Sequence, residues 1–409
     1  MELFKVMSVE QVKEILEKSF NYSLGMEEVS LEEAYGRIVG ESIISKTDVP
    51  NFRRSTVDGY AVNSKAVAGA SESMPSILTL KGEVLMGQEP KVQLDSQEQC
   101  IYVPTGGMIP EGSDSVVMIE YTEKLDEDTI LINKPSANGE KVVQVGEDIA
   151  AGEVVINKGS RLRAYELGVL SSLGFSKVSV FKKPKIGVIS TGDEIVGVEE
   201  IPKKGQVRDI NTYILYSSIL RDGCKPINYG VVRDNYHQLQ NTMTAAIEEC
   251  DIVLVSGGSS VGTKDQTMKV IQSFNDAEIL VHGISIKPGK PTILGKVNGK
   301  AVFGLPGHPL SCSIVYEIIV KALIDKIINS DEKQYPVNCS FGVNYHKSKG
   351  REEYLPVIVR EEEGGLLAEP IFSKSGLITG FSKAYGYIKI EKNLEGLREG
   401  EQVAVYKFF

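Results

Sequence analysis

A chain of 409 residues, 42% hydrophobic and 24% charged, is longer than one hydrophobic core ordinarily serves and too apolar to be disordered, so several folded units are expected. Its formal net charge of −10 argues against a general binder of nucleic acid or of an acidic membrane, since both require a basic face. Any anionic ligand must therefore be held by local groups.

The segment from Met1 to Phe20 carries acidic residues from Glu2 onward and no long apolar run. Neither a secretory leader nor a membrane span is expected there, and the cytoplasm is the default compartment. Ser8 and Gln11 make a capping-box pattern ahead of Val9, Val12, Ile15 and Leu16, which share one stripe and predict a short amphipathic helix over 8–19. From about residue 27 to 178 the text changes to short apolar runs (Ile77 to Leu80, Ser115 to Ile119, Thr129 to Ile132, Glu153 to Ile156) punctuated by glycine and proline, a mostly β reading.

From Lys185 strand and helix patterns alternate. Lys185 to Ser190 reads as a strand, Asn211 to Gly223 as a helix and Ile227 to Val232 as a strand. Asn235 to Cys250 reads as a helix capped by Asp234 or Asn235, with Tyr236, Leu239, Met243, Ala246 and Ile247 inward. Asp251 to Ser256 is almost purely apolar, as expected of a strand covered on both faces. The alternation predicts a doubly wound α/β domain with a mainly parallel sheet, whose ligands sit beyond the carboxyl ends of the strands. A long apolar helix is expected from Pro309, suited to a first turn, to about Ile328. Residues 335–409 return to short β runs with turns at Gly364-Gly365, Gly386 and Glu399-Gly400, a small β-barrel or sandwich.

Chemistry is concentrated at the predicted strand ends. Gly257-Gly258-Ser259-Ser260-Val261-Gly262-Thr263-Lys264-Asp265, with a helix expected from about Asp265, is a turn whose N–H groups suit a phosphate or oxyanion. It matches neither the triphosphate P-loop nor the dinucleotide fingerprint, and a plain strand-to-helix turn is the competing reading. Lys287-Pro288-Gly289-Lys290-Pro291 sets two ammonium groups on a stiffened stretch, either a phosphate grip or a solvated turn. Asp193, Glu194, Asp234 and Asp265 stand at strand ends of the same domain. Carboxylates beside an anion site call for a bridging cation, ordinarily Mg2+, although each acid singly serves equally well as a helix cap. Asp58, Thr105 and Asp148 lie in turn-like segments of the first half. The five cysteines (Cys100, Cys224, Cys250, Cys312, Cys339) and four histidines (His237, His282, His308, His346) show no ligand spacing, so buried thiols are expected and a metal hydrolase or Cys/His nucleophile is disfavoured.

Taken in order, Ser55-Thr56-Val57-Asp58-Gly59-Tyr60-Ala61-Val62, Pro104-Thr105-Gly106-Gly107, Gly146-Glu147-Asp148-Ile149, Ser190-Thr191-Gly192-Asp193-Glu194, Ser256-Gly257-Gly258, Lys287-Pro288-Gly289-Lys290-Pro291 and Gly304-Leu305-Pro306-Gly307 resemble the MoeA and gephyrin E-domain family of molybdopterin molybdenumtransferases. The resemblance runs over essentially the whole chain. It implies a multidomain α/β-plus-β protein: an elongated linker domain (27–50 with 140–178), a β-rich domain (51–139), an α/β molybdopterin-binding domain (1–26 with 179–330) and a C-terminal β-barrel domain (331–409).

It further implies a homodimer whose cleft combines the α/β domain of one subunit with amino-terminal segments of the other. There molybdate is inserted into adenylated molybdopterin with release of AMP. Carried over, Ser256, Gly257, Gly258, Ser260, Gly262, Lys287 and Lys290 would hold the pterin phosphate and AMP. Glu194, Asp234 and Asp265 would bind Mg2+, Asp58, Thr105 and Asp148 would line the molybdate side, and Pro306 and Pro309 would shape a nearby loop. Other cofactor-synthesis proteins and apo-molybdoenzymes are the implied partners.

Two departures stand out: Thr56-Val57 where the family commonly has Ala-Met, and His308 where it commonly has Asn. The second puts a titratable ring at the loop. The resemblance does not separate molybdate from tungstate. An α/β domain of this type also serves molybdopterin adenylation and CinA-like nucleotide hydrolysis, and gephyrin relatives act as scaffolds. The flanking acid-bearing β segments favour insertion, and no fused linker or coiled coil favours scaffolding.

Overall fold

The computed structural model describes residues 6–22, 24–257, 261–330, 334–372 and 376–408, the side chains of 261–265 excepted. Its first helix, Val9–Ser19, begins as its cap dictates. The Gln11 N–H donates to Ser8 Oγ, and the Ser8 N–H donates back to Gln11 Oε1 at 2.9 Å. Val9, Val12 and Leu16 are buried on its inner stripe.

Two stretches distant in sequence then zip together. Met26–Ser30 pairs antiparallel with Lys177–Phe181, Ile43–Ile44 with Val154–Ile156, and Arg54–Ser55 with Val142–Val143. Strands this short hold only because they pack on a core: the first two pairs share one built on Val39, Leu162, Leu170 and Val180, and Val142 of the third enters a separate one with Ala61 and Val116. Between them a six-stranded sheet runs in the order Ser115–Met118, Gly59–Val62, Gln99–Val103, Ser76–Glu83, Thr129–Ile132, Thr122–Lys124. Its strands alternate between two cores: Val116 and Ala61 enter one, Val117 and Val62 the other.

The α/β sheet is also six-stranded, ordered Lys225–Val232, Lys185–Thr191, Ile252–Gly257, Lys300–Leu305, Ile293–Val297, Glu278–His282. The first four are parallel, and Ile293–Val297 runs antiparallel to both its neighbours. Ile252 and Leu254 join a core with Leu215 and Ile314, whereas Val253 and Val255 join the opposite one with Leu239 and Met243. Every residue of the strand thus faces a helical layer, which is why it is apolar without alternation.

Two helix starts refine the sequence reading. Asn235, and not Asp234, caps Tyr236–Glu249, its side chain accepting from the Gln238 N–H at 3.1 Å. The helix after the glycine turn is Val261–Gln272, so it does not begin near Asp265. Gly262 and Thr263 are weak helix formers that disguise the start, but at a helix amino terminus their cost is small.

The long helix opens with Pro309 at its first position and continues as Pro309–Val315, a π turn Tyr316–Val320, and Lys321–Ile327. The π turn was invisible to a 3.6-residue pattern. Fully buried Tyr316 lies in it and donates to Asp222 Oδ2 at 2.9 Å.

The C-terminal strands close on themselves. Glu352–Glu362 pairs with Gly365–Pro370 and Gly386–Ile390, Val337–Phe341 joins Gly365–Pro370 to Gln402–Lys407, and Gln402–Lys407 returns to Gly386–Ile390. The result is a five-stranded barrel around Phe341, Val357 and Val405, not a sandwich, and closure removes exposed strand edges. Ile286–Lys287 of the preceding domain pairs with its flank at Glu352 and Glu353.

A charged cluster fastens this barrel to the α/β domain. Arg221 donates to Glu317 Oε1 at 2.6 Å, to both carboxylate oxygens of Asp222 at 2.9 and 3.0 Å, and to the Phe408 carbonyl. All five cysteines are buried and unpaired. No helix among the described residues is long and apolar enough to cross a membrane.

Candidate active site

The parallel strands end side by side and bring several singled-out residues together. Thr191 Oγ1 donates to Asp234 Oδ1 at 3.1 Å, and the Asp234 N–H donates to Asp193 Oδ1 at 3.2 Å. Gly192 has φ +154°, and a Cβ there would lie 2.8 Å from Glu194 Oε2, so the Glu194 carboxylate folds back over this glycine. Asp193, Glu194 and Asp234 therefore gather on two neighbouring strand tips. Among the described residues no group of three or more His, Cys, Asp or Glu is placed so that it could hold a metal ion.

On the next strand, Ser256 is buried one residue before the strand closes at Gly257. Asn211, the first residue of helix Asn211–Arg221, donates from Nδ2 to Ser256 Oγ at 2.6 Å and to the Gly307 carbonyl at 2.8 Å. Burial pushes the neighbouring Cys312 thiol up to about 12, opposed by its hydrogen bond with Ser256. Gly257 closes the strand, and Gly262 and the Asp265 backbone lie in the helix Val261–Gln272. The candidate anion-binding turn therefore leads straight into the first turn of a helix, whose N–H groups have no intrahelical acceptor. Gly258, Ser260 and the Asp265 side chain lie outside the described residues.

The Lys-Pro-Gly-Lys-Pro turn packs against the helix that starts at Pro309. A Cβ on Gly289, at φ +113°, would meet Val315 Cγ2 at 2.7 Å, and the Lys290 carbonyl accepts from the Ile284 and Thr292 N–H groups at 2.9 and 3.0 Å. Lys287 Nζ lies 2.8 Å from Glu353 Oε1, which also accepts from Tyr345 Oη at 2.6 Å. Burial and this carboxylate hold the Tyr345 hydroxyl well above its ordinary pKa. A cavity of about 490 Å³ opens here, lined by Lys287, Pro288, Leu310, Tyr345, Glu353 and Phe372 among others. Sequence reasoning missed Asn211, Tyr345 and Glu353, for no local motif marks a partner that lies many residues away.

Pro306 is buried, and Pro309 begins its helix behind His308 at the cap position. An Asn there would be a strong cap, whereas the His308 side chain makes no cap hydrogen bond.

The amino-terminal candidates belong to other elements. Asp58 Oδ1 accepts from the Thr105 N–H at 2.8 Å, joining two of the motifs at the ends of two adjacent interior strands of the β-rich sheet. The Asp148 N–H donates to the Val49 carbonyl at 3.1 Å within the zipped segments. A Cβ on Gly59 would fall 2.1 Å from the Val117 carbonyl oxygen, so the glycine beside Asp58 is required by close strand approach. Gly59→Ala is expected to cost about 1–3 kcal/mol, measured by urea unfolding, because backbone and not a flexible side chain must yield.

Three family models match in chain order: the MoeA N-terminal region (domain I and II) over residues 7–174, the probable molybdopterin binding domain over 187–326, and the MoeA C-terminal region (domain IV) over 339–408. The chain belongs to the MoeA family. A putative molybdopterin biosynthesis protein of Methanocaldococcus jannaschii is 33% identical, with 93% of this chain and 92% of that protein covered. The molybdopterin molybdenumtransferase of Haemophilus influenzae is 30% identical, with 98% and 99% covered. A crystal structure of a molybdopterin biosynthesis MoeA protein from Pyrococcus horikoshii matches this MoeA-family chain with a TM-score of 0.85 at 31% identity, covering 98% of this chain and 100% of that one.

Proposed function

We propose that this MoeA-family chain is a molybdopterin molybdenumtransferase, a transferase that inserts molybdate into the dithiolene of adenylated molybdopterin and releases AMP. The observation that carries the reading is the gathering of Asp193, Glu194 and Asp234 on strand tips next to the one that leads into the helix amino terminus at Val261. A helix start favours the phosphates electrostatically, and the carboxylates beside it do not unless a cation intervenes.

Mg2+ fits this donor set. It is a hard ion that takes one or two carboxylates and completes its shell with substrate phosphate and water, so no all-protein cage is needed. Glu194 and Asp234, with Asp265, would hold it. When bound it supplies charge neutralisation at the phosphoanhydride.

Ser256, Gly257, Gly258, Ser260 and Gly262, with Lys287 and Lys290, would hold the pterin phosphate and AMP. Lys287 would then share its ammonium between the phosphate and Glu353. Pro306 and Pro309 keep the adjoining loop in shape. Asp58, Thr105 and Asp148 would line the molybdate side across a homodimer cleft, an arrangement suited to acids that sit on a separate sheet of the same chain. The protein's share of the chemistry is positioning and electrostatic stabilisation.

In this reading the four domains have the boundaries that the resemblance implies, and the enzyme works in the cytoplasm, delivering cofactor to apo-molybdoenzymes. The test is to supply adenylated molybdopterin, Mg2+ and either molybdate or tungstate and to follow AMP. Release that requires both Mg2+ and an oxyanion is expected. AMP formation indifferent to oxyanion, or none at all, overturns the function.

A further inference from the structure

We propose that Asn211 is a positioning residue that ties the glycine-turn strand tip to the Gly304–Gly307 turn, so that the two walls of the substrate site keep a fixed separation. Its kinetic consequence rests on the function proposed above; the tie itself does not. Asn211 is 5% exposed and spends both Nδ2 protons at once, on Ser256 Oγ at 2.6 Å and on the Gly307 carbonyl at 2.8 Å. Gly307 offers only an acceptor, so the amide is held in one orientation. Ser256 is the last residue but one of its parallel strand and Leu305 is its register partner on the next, so the single side chain joins one strand tip to the loop that leaves the neighbouring strand.

The surroundings fit placement better than packing. Asn211 Oδ1, Thr212 Oγ1 and Ser190 Oγ are buried without a hydrogen-bond partner, Ser190 being the register partner of Ser256. Unpaired buried oxygens are a penalty that a purely structural layer would avoid with apolar residues. Here they accumulate where the strands end and the loops begin, above an otherwise apolar core. The Asp209 carboxylate, itself buried, accepts from the Thr212 N–H at 3.1 Å and fixes the start of the helix that presents Asn211.

Amide hydrogen exchange and steady-state kinetics test this together. In Asn211→Ala, exchange should quicken at both Ser256–Gly257 and Gly304–Gly307, and KM for adenylated molybdopterin should rise about tenfold with kcat changed much less, the signature of lost binding shared by ground and transition states. Asn211→Asp has the same size, loses both donors and should reproduce the coupled exchange even if the alanine variant folds poorly. Adding Ser256→Ala to Asn211→Ala should bring little further change in exchange at the two segments, because there both act through one tie. Exchange that quickens in only one of the two segments, or in neither, overturns the proposal. Wild-type protein that releases no AMP while the variants still show coupled exchange would remove the function and leave the tie standing.

Discussion

Asp234→Ala is expected to lower oxyanion-dependent AMP release by about a hundredfold or more, the usual scale for removing one preorganised electrostatic group from a reacting centre. Asp234 does not cap its helix, since Asn235 does, and its carboxylate instead accepts from Thr191 at the neighbouring strand tip. The loss should therefore fall on the site and not on the helix. Only a modest stability change is expected, about 1 kcal/mol for one hydrogen bond. Asp234→Asn separates the two contributions. It keeps an acceptor for Thr191 and removes the charge, so stability should be near wild type while Mg2+ dependence weakens. Activity within twofold of wild type in both variants would exclude Asp234 from the chemistry.

Arg221→Ala should be the most damaging substitution for stability, at about 3–5 kcal/mol, because it takes from buried Glu317 its hydrogen-bonded cation and leaves Asp222 only Lys321, 3.8 Å away. Asp222 and Glu317 are 5% and 9% exposed, and the Phe408 carbonyl loses its donor at the junction of barrel and α/β domain. The deficit should also depend on pH. Burial raises the Glu317 pKa while Arg221 opposes the rise, and burial likewise raises Asp325.

A carboxyl with a raised folded-state pKa binds more protons folded than unfolded. Its contribution is most favourable below the unfolded pKa and is lost as pH rises through the folded one. Without Arg221 the Glu317 pKa climbs further, so urea unfolding should find Arg221→Ala closer to wild type at pH 5 than at pH 8. An equal deficit at both values would show that the charges are not what the guanidinium stabilises.

Elements whose signal is local were legible in the sequence. The Ser8 and Gln11 box, the Asn235 helix with its inward Leu239 and Met243, and Pro309 at a helix start each declare themselves within a few residues. Periodicity could not show the π turn at Tyr316, nor that Val261 rather than Asp265 opens a helix. Nor could it choose barrel over sandwich, because closure depends on Val337–Phe341 meeting Gly365–Pro370 and Gln402–Lys407.

The candidate site divides in the same way. Glycine turns, paired lysines and terminal acids announce themselves by residue type. Lys287 finds Glu353, and Asn211 finds Ser256 and Gly307, only when distant segments fold together.

The central claim is that the strand tips of the α/β sheet receive the adenylated pterin, and a crystal structure of Asp234→Asn with that compound and Mg2+ would test it most directly. The account predicts phosphates over Gly257 and the amino terminus of Val261–Gln272, within reach of Lys287. A pterin nucleotide lodged instead in the barrel-flank cavity beside His346 and Arg398, with the strand tips bare, would contradict it.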